Sequence, residues 1–342
     1  MRILMVGHYP PHGGGVANHL DNLVRELRKR HEVHVLTYGP VEPRPFEAEF
    51  VHQVTVPPVY GIRGTTFALR GAKKICRLHR EFDFDLIHAH FVGTTSYAAV
   101  LAKERTGLPL VVTAHGSDLE HTAKLTLGRF YVKRTLADAD AVIAVSHWLA
   151  GKAASLGAGR VRVVPNGVKP LQPAEGRREY ITFIGALRDY KSPETFIELA
   201  RAFPNEKFLV VGNGPLRERL QATAPPNVEF AGYRHDVGAV LSMSRLLVLP
   251  SKREGFGLVV LEANSLGVPA VGRRVSAIPE LIREGKNGLT FESFEELAKA
   301  VKRLLEPKFN ARAGALGRKI AGLYTWSAVA REVERVYEEV AG

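Results

Sequence analysis

The sequence predicts an α/β protein made of two Rossmann-like, doubly wound parallel-sheet domains. Three observations predict it. Short apolar runs that end in turns alternate with segments of helical periodicity, the pattern of strands buried on both faces by crossover helices. The chain has 342 residues, enough for about two domains of roughly 150 residues. The alternation also breaks off near residue 170 and restarts near 180.

Arg2–Val6 is the first apolar run, closed by the turn His8–Gly15. Leu20, Leu23, Val24 and Leu27 follow at helical spacing, and Glu32–Leu36 is the next strand, which completes one βαβ unit. Strands then begin at Leu86 and Leu110 and run over Ala141–Val145 and Arg160–Val164, with helices over Thr95–Lys103 and Arg129–Ala137. Val168–Glu179, with two prolines, a glycine and few apolar residues, reads as a linker. Beyond it come strand Tyr180–Ile184, helix Pro193–Ala202, strand Lys207–Val211, strand Val228–Phe230 and helix Asp236–Met243. Strand Leu246–Leu249, helix Gly257–Leu266, strand Ala270–Val271 and helix Ser293–Leu305 complete the second alternation. Ser327–Val340 is an amphipathic helix. Ligands of open α/β sheets sit beyond the carboxyl ends of the strands, so two facing sheets imply a deep cleft between domains.

Composition narrows the function. A single cysteine, Cys76, excludes an internal disulfide framework and a cysteine-based zinc cluster. No apolar run approaches the roughly 18–20 residues of a membrane span. The apolar stretch Ile3–Val6 is too short for a secretory signal, so a cytoplasmic protein is expected. The net charge of +12 points to an anionic partner. Up to residue 170 there are 22 basic and 14 acidic side chains, and 25 and 21 beyond; twelve of the thirteen histidines lie in the first half.

Two segments carry the chemistry. Gly13-Gly14-Gly15-Val16 stands between the first strand and its helix, where bare amides at a helix N-terminus can approach an anion. It is not the dinucleotide fingerprint, and no P-loop occurs. The richer segment is Pro250-Ser-Lys-Arg-Glu254-Gly-Phe256-Gly257-Leu258-Val-Val-Leu-Glu262-Ala. Its Gly-Phe-Gly turn bares the amides of Phe256, Gly257 and Leu258 at a helix's positive end. Glu254 precedes that turn, placed to accept from sugar hydroxyls, and Glu262 lies along the helix at a distance suited to a ribose diol. Two acids around an anion site make sense when the ligand is a diphosphate flanked by a sugar and a ribose.

The Glu254-x7-Glu262 pair in this setting resembles the retaining, nucleotide-sugar-dependent glycosyltransferases of family 4, which have the GT-B fold. Gly14-Gly15-Val16, Thr113-Ala-His115-Gly-Ser-Asp118, Val164-Pro-Asn166-Gly167-Val168, Val211-Gly212-Asn-Gly214-Pro, Pro279-Glu-Leu and Asn287-Gly288-Leu match in the same order, along nearly the whole chain. The resemblance implies that Glu254 and the Phe256–Leu258 amides hold the donor sugar and distal phosphate, and that Glu262 holds the ribose. It places His115 near the transferred sugar, closes the Gly14-Gly15 loop over the diphosphate, and counts Asn166, Gly185, Gly212 and Gly214 among the donor-binding positions. The implied domains are 1–167, an acceptor-side domain to which the terminal helix 326–342 crosses back, and 168–325, the donor domain.

One departure concerns the diphosphate. The family pattern Gly-Arg-Leu-x-x-x-Lys is here Gly185-Ala-Leu-Arg188-Asp-Tyr-Lys191: Lys191 is in register, but Ala186 stands at the arginine position. Either Arg188 reaches the phosphate by another route or Lys191 works with less help. A second departure is Ser276-Ala277, where many relatives carry Gly-Gly.

The activity implied is transfer of a hexose from a UDP-, GDP- or ADP-sugar to an acceptor glycan or lipid, with retention, no metal and no cofactor beyond the donor. Alternatives are a nucleotide-sugar 2-epimerase or phosphorylase of the same fold, a non-catalytic sensor, and a nucleic-acid-binding protein suggested only by charge. Asp83-Phe-Asp85 and Asp138-Ala-Asp140 read as strand entries rather than metal ligands, and His88-Ala-His90 offers two imidazoles on one strand face without a third ligand. Arg63, Arg70, Lys73, Lys74, Arg77 and Arg80 form a basic stretch with Ile75 and Leu78 interleaved. It reads either as a docking face for an anionic membrane, placing the protein at the inner face, or as a solvated helix face. It lacks the aromatic residues that would stack on nucleic-acid bases.

Overall fold

The computed structural model describes residues 1–12, 14–39, 47, 49–57, 59, 62–169, 171, 173 and 178–342. Gly13 of the glycine turn and residues 170, 172 and 174–177 of the expected linker lie outside the described residues. The chain divides into two compact units, Met1–Gly167 with Trp326–Gly342, and Val168–Thr325.

The first unit runs β1 (Arg2–Val6), α1 (Gly15–Leu27), β2 (Glu32–Gly39), β3 (Val51–Thr55), α2 (Ile62–Phe82), β4 (Leu86–His90) and α3 (Thr94–Thr106). It continues β5 (Leu110–Ala114), α4 (Ser117–Glu120), α5 (Thr126–Asp138), β6 (Ala141–Ala144), α6 (His147–Ser155) and β7 (Val161–Val163). Its strands pair in parallel in the order β3-β2-β1-β4-β5-β6-β7. The order reverses between β1 and β4, where Val6 lies opposite Ala89, so the turn after β1 opens beside the end of β4. Both Asp-x-Asp strings tie strand entries: Asp85 accepts from the Arg2 amide at 2.7 Å, and Asp140 from the Leu110 amide at 2.7 Å and Lys103 Nζ at 2.6 Å.

The second unit runs β8 (Tyr180–Ile184), α7 (Pro193–Ala202), β9 (Lys207–Val211), α8 (Arg217–Thr223), β10 (Val228–Gly232), α9 (Val237–Ser242) and β11 (Ser244–Leu249). It closes with α10 (Leu258–Ser265), β12 (Ala270–Arg273), α11 (Ile278–Leu281), β13 (Gly288–Phe291), α12 (Phe294–Leu305) and α13 (Pro307–Ala321). The parallel order β10-β9-β8-β11-β12-β13 repeats the reversal, now between β8 and β11.

The last helix, α14 (Trp326–Ala341), belongs to the first unit. Its apolar stripe Trp326, Val329, Ala330, Val333, Val336 and Tyr337 joins the core formed by Ile3, Met5, Leu20, Leu23 and Val24. The Arg30 guanidinium forks onto Glu334, both contacts at 2.9 Å, and Arg162 pairs with Glu339 at 2.8 Å. The Tyr337 hydroxyl is bonded to His88 Nδ1 at 2.6 Å, and His88 Nε2 to Thr113 Oγ1 at 2.7 Å, so a buried imidazole is satisfied at both nitrogens.

Several elements go beyond the sequence reading, among them β3, β13 and α13. β3 is an edge strand whose Val-His-Gln-Val-Thr is too polar to stand out as a buried run. β13 is a four-residue strand beginning at Gly288. In α13 the periodicity is interrupted by Gly314 and Gly317.

Tyr337→Phe leaves the buried His88 nitrogen without its partner. It is expected to cost about 1–3 kcal/mol of first-unit stability, read as faster native-state amide exchange in β4 and β5. Unchanged exchange would remove the hydroxyl from the account of how α14 is held.

Candidate active site

In the second unit the loops after β8 and β11 meet where the strand order reverses, the position at which open α/β sheets bind ligands. Lys191, from the first loop, is ion-paired to Glu254 from the second. Ser251 Oγ donates to the same carboxylate oxygen at 2.8 Å. The loops are stitched further by the Lys252 amide on the Tyr190 carbonyl and by Lys252 Nζ on Asp189, both at 2.8 Å. A third loop, after β12, reaches the same place: the Ala277 amide donates to the Glu254 carbonyl at 3.3 Å. Just before it Ser276 has φ +49°, a left-handed conformation that glycine adopts without strain, which explains the glycine usual there.

Three glycine positions fix this geometry. Gly212 has φ +137°, and a Cβ on it would lie 1.9 Å from the Gly185 carbonyl oxygen; a Cβ on Gly214 would lie 2.4 Å from the Leu187 carbonyl oxygen. The loop carrying Lys191 is therefore laid directly on the backbone after β9, with the Leu187 amide on the Asn213 carbonyl at 3.0 Å. Gly257 caps α10 at φ +93°, where a Cβ would approach Ile278 Cδ1 to 2.9 Å. Phe256 is buried beside it, and Leu258 opens the helix, whose first amides have no intrahelical acceptors. Arg188 is exposed on the β8 loop; among the described residues its guanidinium has no partner. Glu262 lies one turn into α10 between Leu261 and Ala263, and burial pushes its carboxyl up to about 7.

In the first unit Gly14, with φ +107°, caps α1, and Gly15 is its first residue; both are exposed. His115 follows β5. Its backbone is held by Asp118, whose buried carboxylate accepts from the amides of Val92, His115, Gly116 and Leu119 at 2.7–3.0 Å. This network accounts for the His115-Gly-Ser-Asp118 string: the aspartate locks the loops after β4 and β5 together. His88 and His90 share a strand face as expected, ring centroids 4.2 Å apart. His88 is committed to Tyr337 and Thr113, whereas His90 also gathers with His19 and His115, ring centroids 4.8–5.6 Å apart, so the absence of a third imidazole expected from the sequence is corrected. Asn166, an expected donor-binding position, has its carboxamide oxygen 2.7 Å from His19 Nδ1. Burial holds His19 down to about 4 and His90 and His115 well below the usual histidine range, so all three are neutral imidazoles. The sequence reading missed His19. Positions 19, 90 and 115 come from three elements, and only the strand order makes them neighbours.

The basic stretch falls on α2. Ile75 and Leu78 point into the core, while Arg63, Arg70, Lys73, Arg77 and Arg80 are exposed together with Ile62 and Leu69. The apolar residues on the solvent side are thus not those interleaved in the sequence pattern. No helix among the described residues is long and apolar enough to cross a membrane.

The architecture is shared with solved glycosyltransferases. The chain superposes on sucrose-phosphate synthase from Thermosynechococcus elongatus with a TM-score of 0.84 over 98% of each chain at 20% identity. It superposes on Anabaena HepE, solved with UDP and glucose, with a TM-score of 0.80 over 99% of each chain at 20% identity. An uncharacterized glycosyltransferase of Methanocaldococcus jannaschii is 27% identical over 100% of this chain and 99% of its own length. The model of Glycosyltransferase Family 4 matches residues 13–170, and that of Glycosyl transferases group 1 matches residues 178–307. The chain belongs to the family-4 type of glycosyltransferases and is an enzyme of that class.

Unfolded, the Glu262 carboxyl ionises near 4.5; folded, it holds its proton to about 7. Stability therefore falls as pH rises through that window. Glu262→Gln is expected to flatten this part of the melting-temperature profile, and parallel profiles for the two proteins would refute the burial cost.

Proposed function

We propose that the enzyme moves a hexose from a nucleoside-diphosphate sugar to an acceptor hydroxyl of a glycan or lipid, with retention of configuration. The observation that carries this reading is the Lys191–Glu254 pair, set beside the N-terminus of α10 where the second sheet reverses its strand order. A cation, a helix dipole and two carboxylates suit a ligand whose diphosphate is flanked by uncharged hydroxyls. The UDP and glucose bound to HepE support the same donor class.

In this reading Lys191 and the Phe256–Leu258 amides hold the diphosphate, with Arg188 free to swing toward it. Gly185, Gly212 and Gly214 shape the loop that presents Lys191. Glu254 accepts from the donor sugar and Glu262 from the ribose. As the anomeric bond to the diphosphate breaks, charge grows on the leaving oxygen and the sugar becomes oxocarbenium-like. Fixed donors aimed at that oxygen lower the barrier, each worth on the order of 3 kcal/mol, about a hundredfold in rate. The acceptor hydroxyl attacks from the face the diphosphate leaves, and a phosphate oxygen takes its proton. We assign no divalent ion to this step, because Lys191 and the helix end supply the positive charge.

Lys191→Ala is expected to slow transfer about a hundredfold while the fold is kept. A thermal-shift series with UDP-, GDP- and ADP-sugars should raise the melting temperature with one nucleotide class. No shift with any of them, or near-normal turnover of the variant, would overturn the reading.

We extend the proposal to an anionic lipid surface on the exposed cations of α2. Neutralising Lys73 and Arg77 together should reduce cosedimentation with phosphatidylserine vesicles and leave neutral vesicles unaffected. Equal binding before and after the change would leave α2 as a solvated face.

A further inference from the structure

The first unit holds a cluster that the transfer reaction, as proposed, does not use as a whole. His19 projects from α1, His90 ends β4 and His115 follows β5, so all three converge where the first sheet reverses its strand order. One ring nitrogen from each lies within 4.8 Å of the other two, and His90 Nδ1 is 3.4 Å from His115 Nε2. Ligands bound at about 2.0–2.1 Å in a tetrahedron are roughly 3.3 Å apart, so one edge of such a site is already at ligand spacing.

The tautomer is informative. The Asn166 carboxamide oxygen accepts from His19 Nδ1 at 2.7 Å, so the proton sits on Nδ1 and the Nε2 lone pair is bare. That Nε2 is buried and has no partner. A buried nitrogen without a partner is rare and costly. An amide oxygen holding the far nitrogen of an imidazole is also how metal-ligating histidines are oriented. Burial keeps all three rings neutral, the form that ligates. His115, less buried than the other two, is the side from which an ion enters. The Trp326 ring stands edge-on against His19 at 5.2 Å and walls the cluster on the helix α14 side.

We propose that His19, His90 and His115 bind a divalent transition-metal ion of the zinc class, with a fourth position left to water or a ligand oxygen. Of the positions expected at the donor, the charged ones (Lys191, Arg188, Glu254 and Glu262) belong to the second unit, whereas His115 and Asn166 belong to this cluster. The site rests on the geometry of the first unit alone, and its test uses no donor, so it and the proposed reaction can fail independently.

The test is titration of the full chain with Zn2+ by equilibrium dialysis, and with Co2+ by visible spectroscopy. One equivalent should bind, and the Co2+ form should show the intense absorption of a four- or five-coordinate ion. His19→Ala and His90→Ala should each weaken binding at least tenfold. Asn166→Ala keeps all three ligands and should weaken it about ten- to a hundredfold. Changing His34 and His52, a stacked pair on the β2–β3 edge, to alanine should leave it unchanged. Absence of saturable one-equivalent binding, or binding that survives the His19→Ala/His90→Ala double variant, overturns the site. Should the alanine variants fail to fold, His19→Gln and His90→Gln replace them. Zinc-edge X-ray absorption on the unaltered chain then decides, and a first shell with fewer than three imidazoles overturns it.

Discussion

A parallel sheet covered by helices on both faces leaves chemistry one place to go, and the rest of this molecule follows from that constraint. Every strand runs the same way, so the loops at the carboxyl ends collect along one edge. Where the strand order reverses, successive crossover helices leave to opposite faces, and the edge opens. Both units reverse, between β1 and β4 and between β8 and β11, and both put a group of polar side chains there. In one this is the Lys191–Glu254 pair; in the other it is the histidine cluster with Asp118 beneath it.

The two edges meet the cost of buried polarity differently. Lys191 and Glu254 satisfy each other, and Ser251 takes up further capacity of the carboxylate. A pair held this way keeps a cation and a carboxylate in place with no ligand bound. Asp118 is burdened by full burial and compensated by four backbone amides. The histidines lie at the other extreme. His88 is bonded at both nitrogens, while its neighbours His19 and His90 each keep one buried nitrogen bare. Such a contrast within one small cluster marks a place that the protein alone does not complete.

The second-unit site was legible because its parts are local in sequence. Gly-Phe-Gly before a helix, with glutamates at 254 and 262, is written within a dozen residues, and α10 turns that string into a helix end with carboxylates beside it. Lys191 could be placed from its register in the family pattern that begins at Gly185. The string did not reveal that Lys191 would pair with Glu254, because 63 residues separate them. Arg188 shows the limit from the other side. Its spacing offered a substitute for the arginine absent at Ala186, yet its side chain is exposed and unengaged. The Asp-x-Asp strings were read correctly as strand entries, since an acid before a buried run has amides and cations at hand.

By itself the sequence determined the alternation of strands and helices, the break near residue 170, and the glycine turns and acids at the head of α10, since periodicity and turn chemistry act between near neighbours. Tertiary structure alone decided which distant residues share an edge. The order β1-β4-β5 brings residues 19, 90 and 115 together, and the seating of α14 puts Tyr337 on His88. Those choices belong to the packing of whole elements, which buries apolar stripes wherever they fit best and carries the polar groups along.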